Sequence, residues 1–259
     1  MEVVILPEPA DVARLAADVL VRAVERRPDA VLGLATGSSP LGVYAQLRAR
    51  SAAGTVDLRQ VRAFLLDEYV GLPPGHPESY RAVIARELSG LPLAPGAVQS
   101  PDGGAADLAA AADQYEQAIR EAGGIDVQLL GIGTDGHIAF NEPGSSLASR
   151  TRVKTLTRQT RQDNARFFDH VDEVPHHVLT QGLGTIMDAR HLLMVATGAA
   201  KSGAVHQMVE GAVSAACPAS VLQMHPHVTV VLDEQAAERL ELQDYYRQSY
   251  AGKPAWQGF

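Results

Sequence analysis

Apolar residues along this chain follow two rhythms. Short unbroken runs, Val31–Leu34, Val61–Leu66, Val127–Leu130, His191–Ala196 and Val228–Leu232, have the length of strands buried on both faces. Between them lie segments with helical spacing. Asp11–Arg26 carries Val12, Leu15, Ala16, Val19, Ala23 and Val24 on one stripe. Leu41–Arg50 follows Pro40, a good first-turn residue. Ser79–Leu88 has Ser79 as a cap, Ala105–Ala122 is closed by Gly123-Gly124, and Ala200–Glu210 completes the set. Strands spaced by helices predict an α/β fold with a mainly parallel, doubly wound sheet flanked by helices. No internal repeat or long low-complexity linker breaks the pattern, and the Pro/Gly-rich stretch Pro92–Gly104 is too short for a boundary. Residues 1–259 therefore read as a single domain.

Composition narrows the class. With 259 residues, 46% of them hydrophobic, the chain can bury a sizeable core. A net charge of −8 and a pI near 5.6 argue against general nucleic-acid binding. They leave room for a small anion held by local backbone N–H groups and a few cations. Cys217 stands alone, so no internal disulfide forms; it precedes Pro218 without an acid–base neighbour and reads as a structural thiol. No apolar run approaches the roughly 20 residues of a membrane span. The first residues include Glu2 and no basic stretch, which does not look like a signal peptide. A cytoplasmic protein is the expectation.

Four places where a strand gives way to a turn carry candidate chemistry. The first, Ala35–Pro40, reads ATGSSP between a strand and a helix. Gly37 permits close backbone approach, Thr36, Ser38 and Ser39 add hydroxyls, and the following helix N-terminus favours an anion. This suits a phosphate, although the Gly-Lys-Ser/Thr of a nucleotide P-loop is missing. An ordinary strand-to-helix turn has the same composition. The second place is Asp67-Glu68 at the end of the Val61–Leu66 run. Strand alternation puts the two carboxylates on opposite sides, so at most one faces a shared pocket, where desolvation would suit it as a general base. A solvated acidic turn is the plainer reading.

The third place is Gly131–Glu142, GIGTDGHIAFNE. It contains G-x-G-x-x-G, but Pro143 makes a regular helix after the glycines unfavourable, so a dinucleotide site is rejected. The glycines instead aim His137, and the carboxylates Asp135 and Glu142 beside it can hold the imidazole in one tautomer. A metal site uses the same residue types but wants a second histidine. None is close in sequence, leaving only the distant His225 and His227. His176–His177 reads as surface structure. The fourth place is Thr197–Ser202, TGAAKS, with Lys201 expected in the first turn of a helix, where an anionic ligand would explain a cation. Arg166, among Ala165, Phe167 and Phe168, is a second candidate cation. The Arg- and Thr-rich stretch Arg150–Asp169 is either ligand-facing or a solvated surface.

Together LGLATGSSPLGVY, LDEYVGLPPGHPESY, GIGTDGHIAFNEPGSSLASRTR, ARFF and GAAKS resemble the glucosamine-6-phosphate deaminase family over nearly the whole chain. LDEYVGL and DGHIAFNEP are the most specific of these motifs. The related phosphogluconolactonases share the fold and a G-x-D-G-H turn, but are not expected to continue as IAFNEP or to carry DEYVGL. The resemblance implies conversion of glucosamine 6-phosphate and water to fructose 6-phosphate and ammonia, with no metal or organic cofactor. It implies Asp67 as the base that moves a proton from C2 toward C1. It implies His137 in ring opening, with Asp135 and Glu142 orienting it. Thr36, Gly37, Ser38, Ser39, Arg166 and Lys201 would hold the phosphate. Some members are hexamers activated by N-acetylglucosamine 6-phosphate at a subunit interface, and Ser145, Arg152 and Lys154 match that effector site. The tail Leu240–Phe259 departs from the pattern of the allosteric members. A sugar-phosphate lactonase and a non-catalytic sugar-phosphate sensor are the competing readings.

Overall fold

The computed structural model describes residues 1–168, 170–254 and 256–259, with the side chains of residues 159, 163 and 166 outside the description. Seven strands form a parallel central sheet: β1 (Glu2–Leu6), β2 (Val31–Leu34), β3 (Arg62–Leu65), β5 (Val98–Gln99), β6 (Val127–Leu130), β9 (His191–Ala196) and β10 (Val228–Asp233). Their order is β1-β10-β9-β6-β2-β3-β5. Every residue of β2, β6, β9 and β10 is buried, as expected for strands covered on both faces. Alternation divides their side chains between two cores. Leu192, Met194 and Ala196 pack on one side with helices α4 (Leu108–Glu121), α6 (Leu183–Met187) and α7 (Ser202–Val209). Leu193 and Val195 pack on the other with α1 (Pro9–Arg26), α2 (Ser38–Ala52) and α3 (Tyr80–Glu87). The mainly parallel, doubly wound sheet read from the sequence is the observed one.

Strand order reverses between β2 and β6. From β2 the chain steps outward to β3 and β5, and from β6 it steps the other way to β9 and β10. Loops leaving the C-terminal ends of β2 and β6 therefore diverge and open a crevice, the usual ligand position in such sheets. The loops 35–40 and 131–142 leave at that point.

A second sheet, antiparallel and of order β4-β8-β7, joins β4 (Asp67–Tyr69), β8 (His177–Thr180) and β7 (Arg152–Thr155). Sequence reading missed it and took Val61–Leu66 as one strand. The chain breaks at Leu66, whose N–H still reaches Leu34 O at 3.1 Å, and then enters the small sheet at Asp67. Three short helices, α5 (Arg158–Asn164), α6 and α8 (Gln243–Ala251), were missed as well, as were the edge strands β1 and β5 of the central sheet. Among the expected helices, α2 begins at Ser38 rather than Leu41. The helix expected over Ala105–Ala122 starts at Leu108, because Asp107 caps it by accepting from Ala109 N and Ala110 N. Ser79 caps α3 as expected, accepting from Ala82 N.

Candidate active site

The crevice holds a cavity of about 530 Å³. Its first wall is the loop after β2. Tyr44, buried on α2, holds Ala35 at both backbone groups: its hydroxyl accepts from Ala35 N at 3.2 Å and donates to Ala35 O at 2.7 Å. The chain then turns through Gly37 at φ 104°, a conformation few side chains tolerate, and α2 starts at once. Thr36, Gly37, Ser38 and Ser39 all line the cavity beside the α2 N-terminus. Unpaired N–H groups at the start of a 15-residue helix favour an anion there.

Asp67 and Glu68 share a peptide bond and have opposite surroundings. Asp67 lines the cavity, is only 4% exposed, and accepts no side-chain hydrogen bond among the described residues. Desolvation, reinforced by repulsion from Glu68, pushes its carboxyl well above the usual range. Glu68 points the other way, accepting from Tyr69 N at 2.8 Å, Tyr80 N at 2.9 Å and Arg81 N at 2.9 Å. It anchors the first turn of α3, whereas Asp67 is the carboxylate that faces the cavity.

The loop after β6 supplies the imidazole. His137 Nδ1 lies 2.6 Å from Asp135 Oδ1, and the same oxygen accepts from His137 N at 3.2 Å. The pairing holds the Asp135 carboxyl below its ordinary value. With Nδ1 so engaged, Nε2 has no partner among the described residues, and the ring lines the cavity. Gly133 makes this possible. A Cβ there would sit 2.1 Å from His137 Cε1, so any larger residue would displace the ring. Ala139 follows at φ 52°, the single positive-φ non-glycine among the described residues. Such a conformation costs about 1–2 kcal/mol and brings its backbone to the cavity wall. No helix forms before Pro143. Cys217 Sγ packs under this loop, against Gly136.

Glu142 differs from expectation. Its Oε1 accepts from Thr157 Oγ1 at 3.3 Å and from Thr160 Oγ1, and no contact with His137 is present among the described residues. Asp135 alone orients the ring here. Glu142 instead ties the 131–142 loop to the N-terminus of α5, whose cap is Thr157.

Matches to known proteins follow this geometry. A family model described as glucosamine-6-phosphate isomerases/6-phosphogluconolactonase matches residues 9–231. The chain belongs to this family. It is 66% identical to a glucosamine-6-phosphate deaminase of Mycolicibacterium smegmatis and 58% identical to one of Streptomyces coelicolor, with all of each chain covered. A solved structure of a monomeric glucosamine-6-phosphate deaminase superposes with a TM-score of 0.89 at 40% identity, covering 92% of this chain and 99% of that one. A 6-phosphogluconolactonase from Trypanosoma cruzi, at 22% identity and TM-score 0.76, shares the fold.

Further lining residues complete the cavity. Gly198 at φ 87° starts a 3-10 turn, Ala199–Lys201, and both Asp233 carboxylate oxygens accept from Gly198 N at 3.0 Å. Lys201 lines the cavity, but it ends this turn as the cap of α7 instead of lying in the helix's first turn. The Arg166 side chain lies outside the described residues. Thr157, Thr160 and Asn164 also line the cavity, so this part of Arg150–Asp169 faces the ligand position. Tyr80 lines it too, stacked on Phe140 and bonded through its hydroxyl to Tyr69 at 3.2 Å. Sequence reading missed Tyr80, Thr157, Thr160, Asn164 and the supporting Tyr44 and Asp233. Polar residues within a segment already suspected of facing a ligand were the available signal for the threonines. Tyr44 and Asp233 act through the fold, and nothing local marks them.

Ser145, Arg152 and Lys154 lie away from the cavity lining. Arg152 and Lys154 are two apart on β7 and so share a face. His225 Nε2 lies 2.8 Å from Ala189 O and is not a partner for His137. Among the described residues, no group of three or more metal-ligating side chains converges. Nor, among the described residues, is any helix long and apolar enough to cross a membrane.

Proposed function

We propose that this chain deaminates glucosamine 6-phosphate, giving fructose 6-phosphate and ammonia, as a cytoplasmic enzyme of N-acetylglucosamine and other amino-sugar catabolism. The carrying observation is that the desolvated Asp67 carboxyl and the Asp135-paired His137 imidazole line one cavity together with Thr36–Ser39 at the start of α2. The substrate phosphate sits on Thr36, Gly37, Ser38 and Ser39, with Lys201 and Arg166 as its cations. Binding energy from that end positions the reacting carbons. His137, through Nε2, moves the proton between ring oxygen and O1 that opens the pyranose, and Asp135 steadies it. Asp67 then takes the proton from C2 of the open aldehyde, giving an enolamine, and returns it at C1. The resulting imine at C2 is hydrolysed by water, leaving the ketone and releasing ammonia. A raised carboxyl pKa suits this shuttle, since a base must also give its proton back.

Ser145, Arg152 and Lys154 form the effector site for N-acetylglucosamine 6-phosphate in this reading. Support comes from two cations on one face of β7 that meet no carboxylate among the described residues. Arg152 is held below its ordinary pKa by desolvation alone, and the Ser145 hydroxyl is buried without a partner among those residues. A phosphate would supply the missing charge. A homo-oligomer with this site at its subunit interface is the assembly that accompanies such activation.

Ammonia release by purified protein given glucosamine 6-phosphate, with and without N-acetylglucosamine 6-phosphate, is the test. Turnover is expected in both conditions and faster with the effector. Hydrolysis of a phosphogluconolactone with no ammonia formed would replace the deaminase with a lactonase. Sugar-phosphate binding without any turnover would make the chain a sensor.

A further inference from the structure

Asp67 and His137 belong to different sheets. Asp67 starts β4 of the small antiparallel sheet, whereas His137 sits on a loop from β6 of the large parallel one. The parallel ladder carries one chain as far as Leu66, whose N–H reaches Leu34 O at 3.1 Å, and the other only to Leu130, so its register alone does not fix the distance between the two side chains. Something else must, because a proton-transfer pair loses its effect when displaced by an ångström or so.

A buried hydrogen-bonded bridge spans that gap. On the Asp67 side, Gln181 N donates to Leu66 O at 2.7 Å and Gln181 Nε2 to Leu65 O at 3.0 Å, gripping the two residues before Asp67. On the His137 side, Asn141 Nδ2 donates to Ile138 O at 3.0 Å. The two halves meet where the same Asn141 Nδ2 donates to Gln181 O at 2.8 Å. Thr180 adds a second strut. It pairs with Asp67 across the β4–β8 ladder, and its Oγ1 accepts from Phe140 N at 3.2 Å. Thr180, Gln181 and Asn141 are all fully buried, and none lines the cavity.

The amide of Asn141 has only one workable orientation. Turning it over would set Oδ1 against two carbonyl oxygens, so both N–H groups are committed. Its Oδ1 meanwhile has no partner among the described residues, and neither has Gln181 Oε1. A buried polar atom left unpaired is unfavourable and asks for a reason. Here the reason is what the two donors hold. We propose that Asn141, supported by Thr180, is a positioning residue that fixes the spacing between the Asp67 carboxylate and the His137 imidazole. This rests on the deaminase reading above.

Asn141→Asp keeps the shape and removes both donors. Thr180→Val keeps the shape and removes the hydroxyl that accepts from Phe140 N and donates to Gln181 O at 3.3 Å, with less risk to folding. Thr180→Ser restores the hydroxyl. Ammonia release from glucosamine 6-phosphate, fructose 6-phosphate binding by calorimetry, and Tm are measured on all three and on the wild type. Asn141→Asp is expected to lose about 10–100-fold in kcat, and Thr180→Val about 3–10-fold. KM and product affinity should stay within about threefold, because the phosphate cradle hangs on β2 and β9 and not on the bridge. Thr180→Ser should return to wild-type turnover. Unchanged kcat in Asn141→Asp or Thr180→Val beside an active wild type would overturn the positioning role, as would equal losses in kcat and product affinity. Should Asn141→Asp fail to fold, the Thr180 pair decides alone. An inactive wild type would instead remove the deaminase reading.

Discussion

Histidines stand at both ends of the parallel sheet, under opposite conditions. At the C-terminal end His137 gives Nδ1 to Asp135 and keeps Nε2 for the cavity. At the N-terminal end, His225 binds Ala189 O through Nε2 at 2.8 Å and accepts from His227 N through Nδ1 at 3.1 Å. His191 Nε2 is 2.9 Å from Thr229 Oγ1, and its ring stacks on His227 at 3.7 Å. Burial first, then charge repulsion from the groups around it, among them Arg26 and Lys253, pushes His191 down to about 3. Burial lowers His227 as well. At the lower end His191 and His225 are buried, each with a ring nitrogen engaged by a fixed neighbour, and His227 lies exposed against the His191 ring; at the upper end the half-buried His137 presents its Nε2 to a cavity. Residue type does not distinguish a reactive histidine from a structural one; what the surrounding backbone leaves unsatisfied does. Upper-end substitutions should then cost turnover and spare stability, with the reverse at the lower end.

The largest separation is expected from Asp67→Asn. Turnover should fall by at least about 100-fold, the lower range for a positioned base. Stability should rise. A carboxyl whose pKa is raised by folding stabilises the fold only while protonated, below its unfolded value of 3.8, and loses that contribution as pH climbs through the folded value. Above pH 3.8 the desolvated carboxyl therefore weakens the fold relative to its protonated form, and the uncharged amide avoids that loss. Each kcal/mol so relieved should add about 2–4 °C to Tm. Ammonia-release kinetics with calorimetric melting at pH 7.5 checks both halves. A variant that is inactive and less stable would put Asp67 among the structural residues and dissolve the contrast.

How much of this contrast was legible in the sequence depends on the range of the forces involved. The strands β2, β6, β9 and β10 announce themselves because burial on both faces demands unbroken apolar runs. Asp67 and Glu68 were separable by the two-residue period alone, and the structure divides them that way. Asp135 beside His137 was readable because two positions along a glycine turn are always close. The reach of Glu142 was not, since its partners Thr157 and Thr160 lie over a dozen residues onward. The small sheet stayed hidden for a related reason. In β7, Arg152, Val153 and Lys154 show no apolar alternation, and their pairing with β8 is a long-range event. The lower histidines looked like loose candidates for a metal, because nothing near His225 in sequence reveals that Ala189 O is waiting for it.

A middle-sized effect tests the lower end. His191 is neutral when buried, with a folded value below its unfolded 6.5, so the stability it lends is complete above pH 6.5 and drains as pH falls toward 3. At pH 5 this amounts to about 2 kcal/mol, or about 4–8 °C in Tm. His191→Asn should flatten the Tm–pH curve between pH 7 and pH 5 and leave kcat at pH 7.5 unchanged. Parallel curves for variant and wild type would show that some other group governs acid stability.

The smallest effect is the most discriminating, because it concerns a residue touching Asp67 without serving the substrate. Glu68 raises the Asp67 pKa by repulsion, after desolvation has done most of the work. Glu68→Gln removes that charge and keeps one carbonyl oxygen to accept from Tyr69 N and Tyr80 N, while the Arg81 N–H loses its partner. Stability should drop by about 1 kcal/mol for that hydrogen bond. The acid limb of the kcat/KM profile should move to lower pH, because Asp67 now ionises more easily, and the plateau should hold. The direction matters more than the size. A limb that stays fixed would mean that the group titrating there is not Asp67. A limb that moves up would mean that losing the α3 anchor has buried Asp67 further, so that packing outweighs charge at this end of the sheet too.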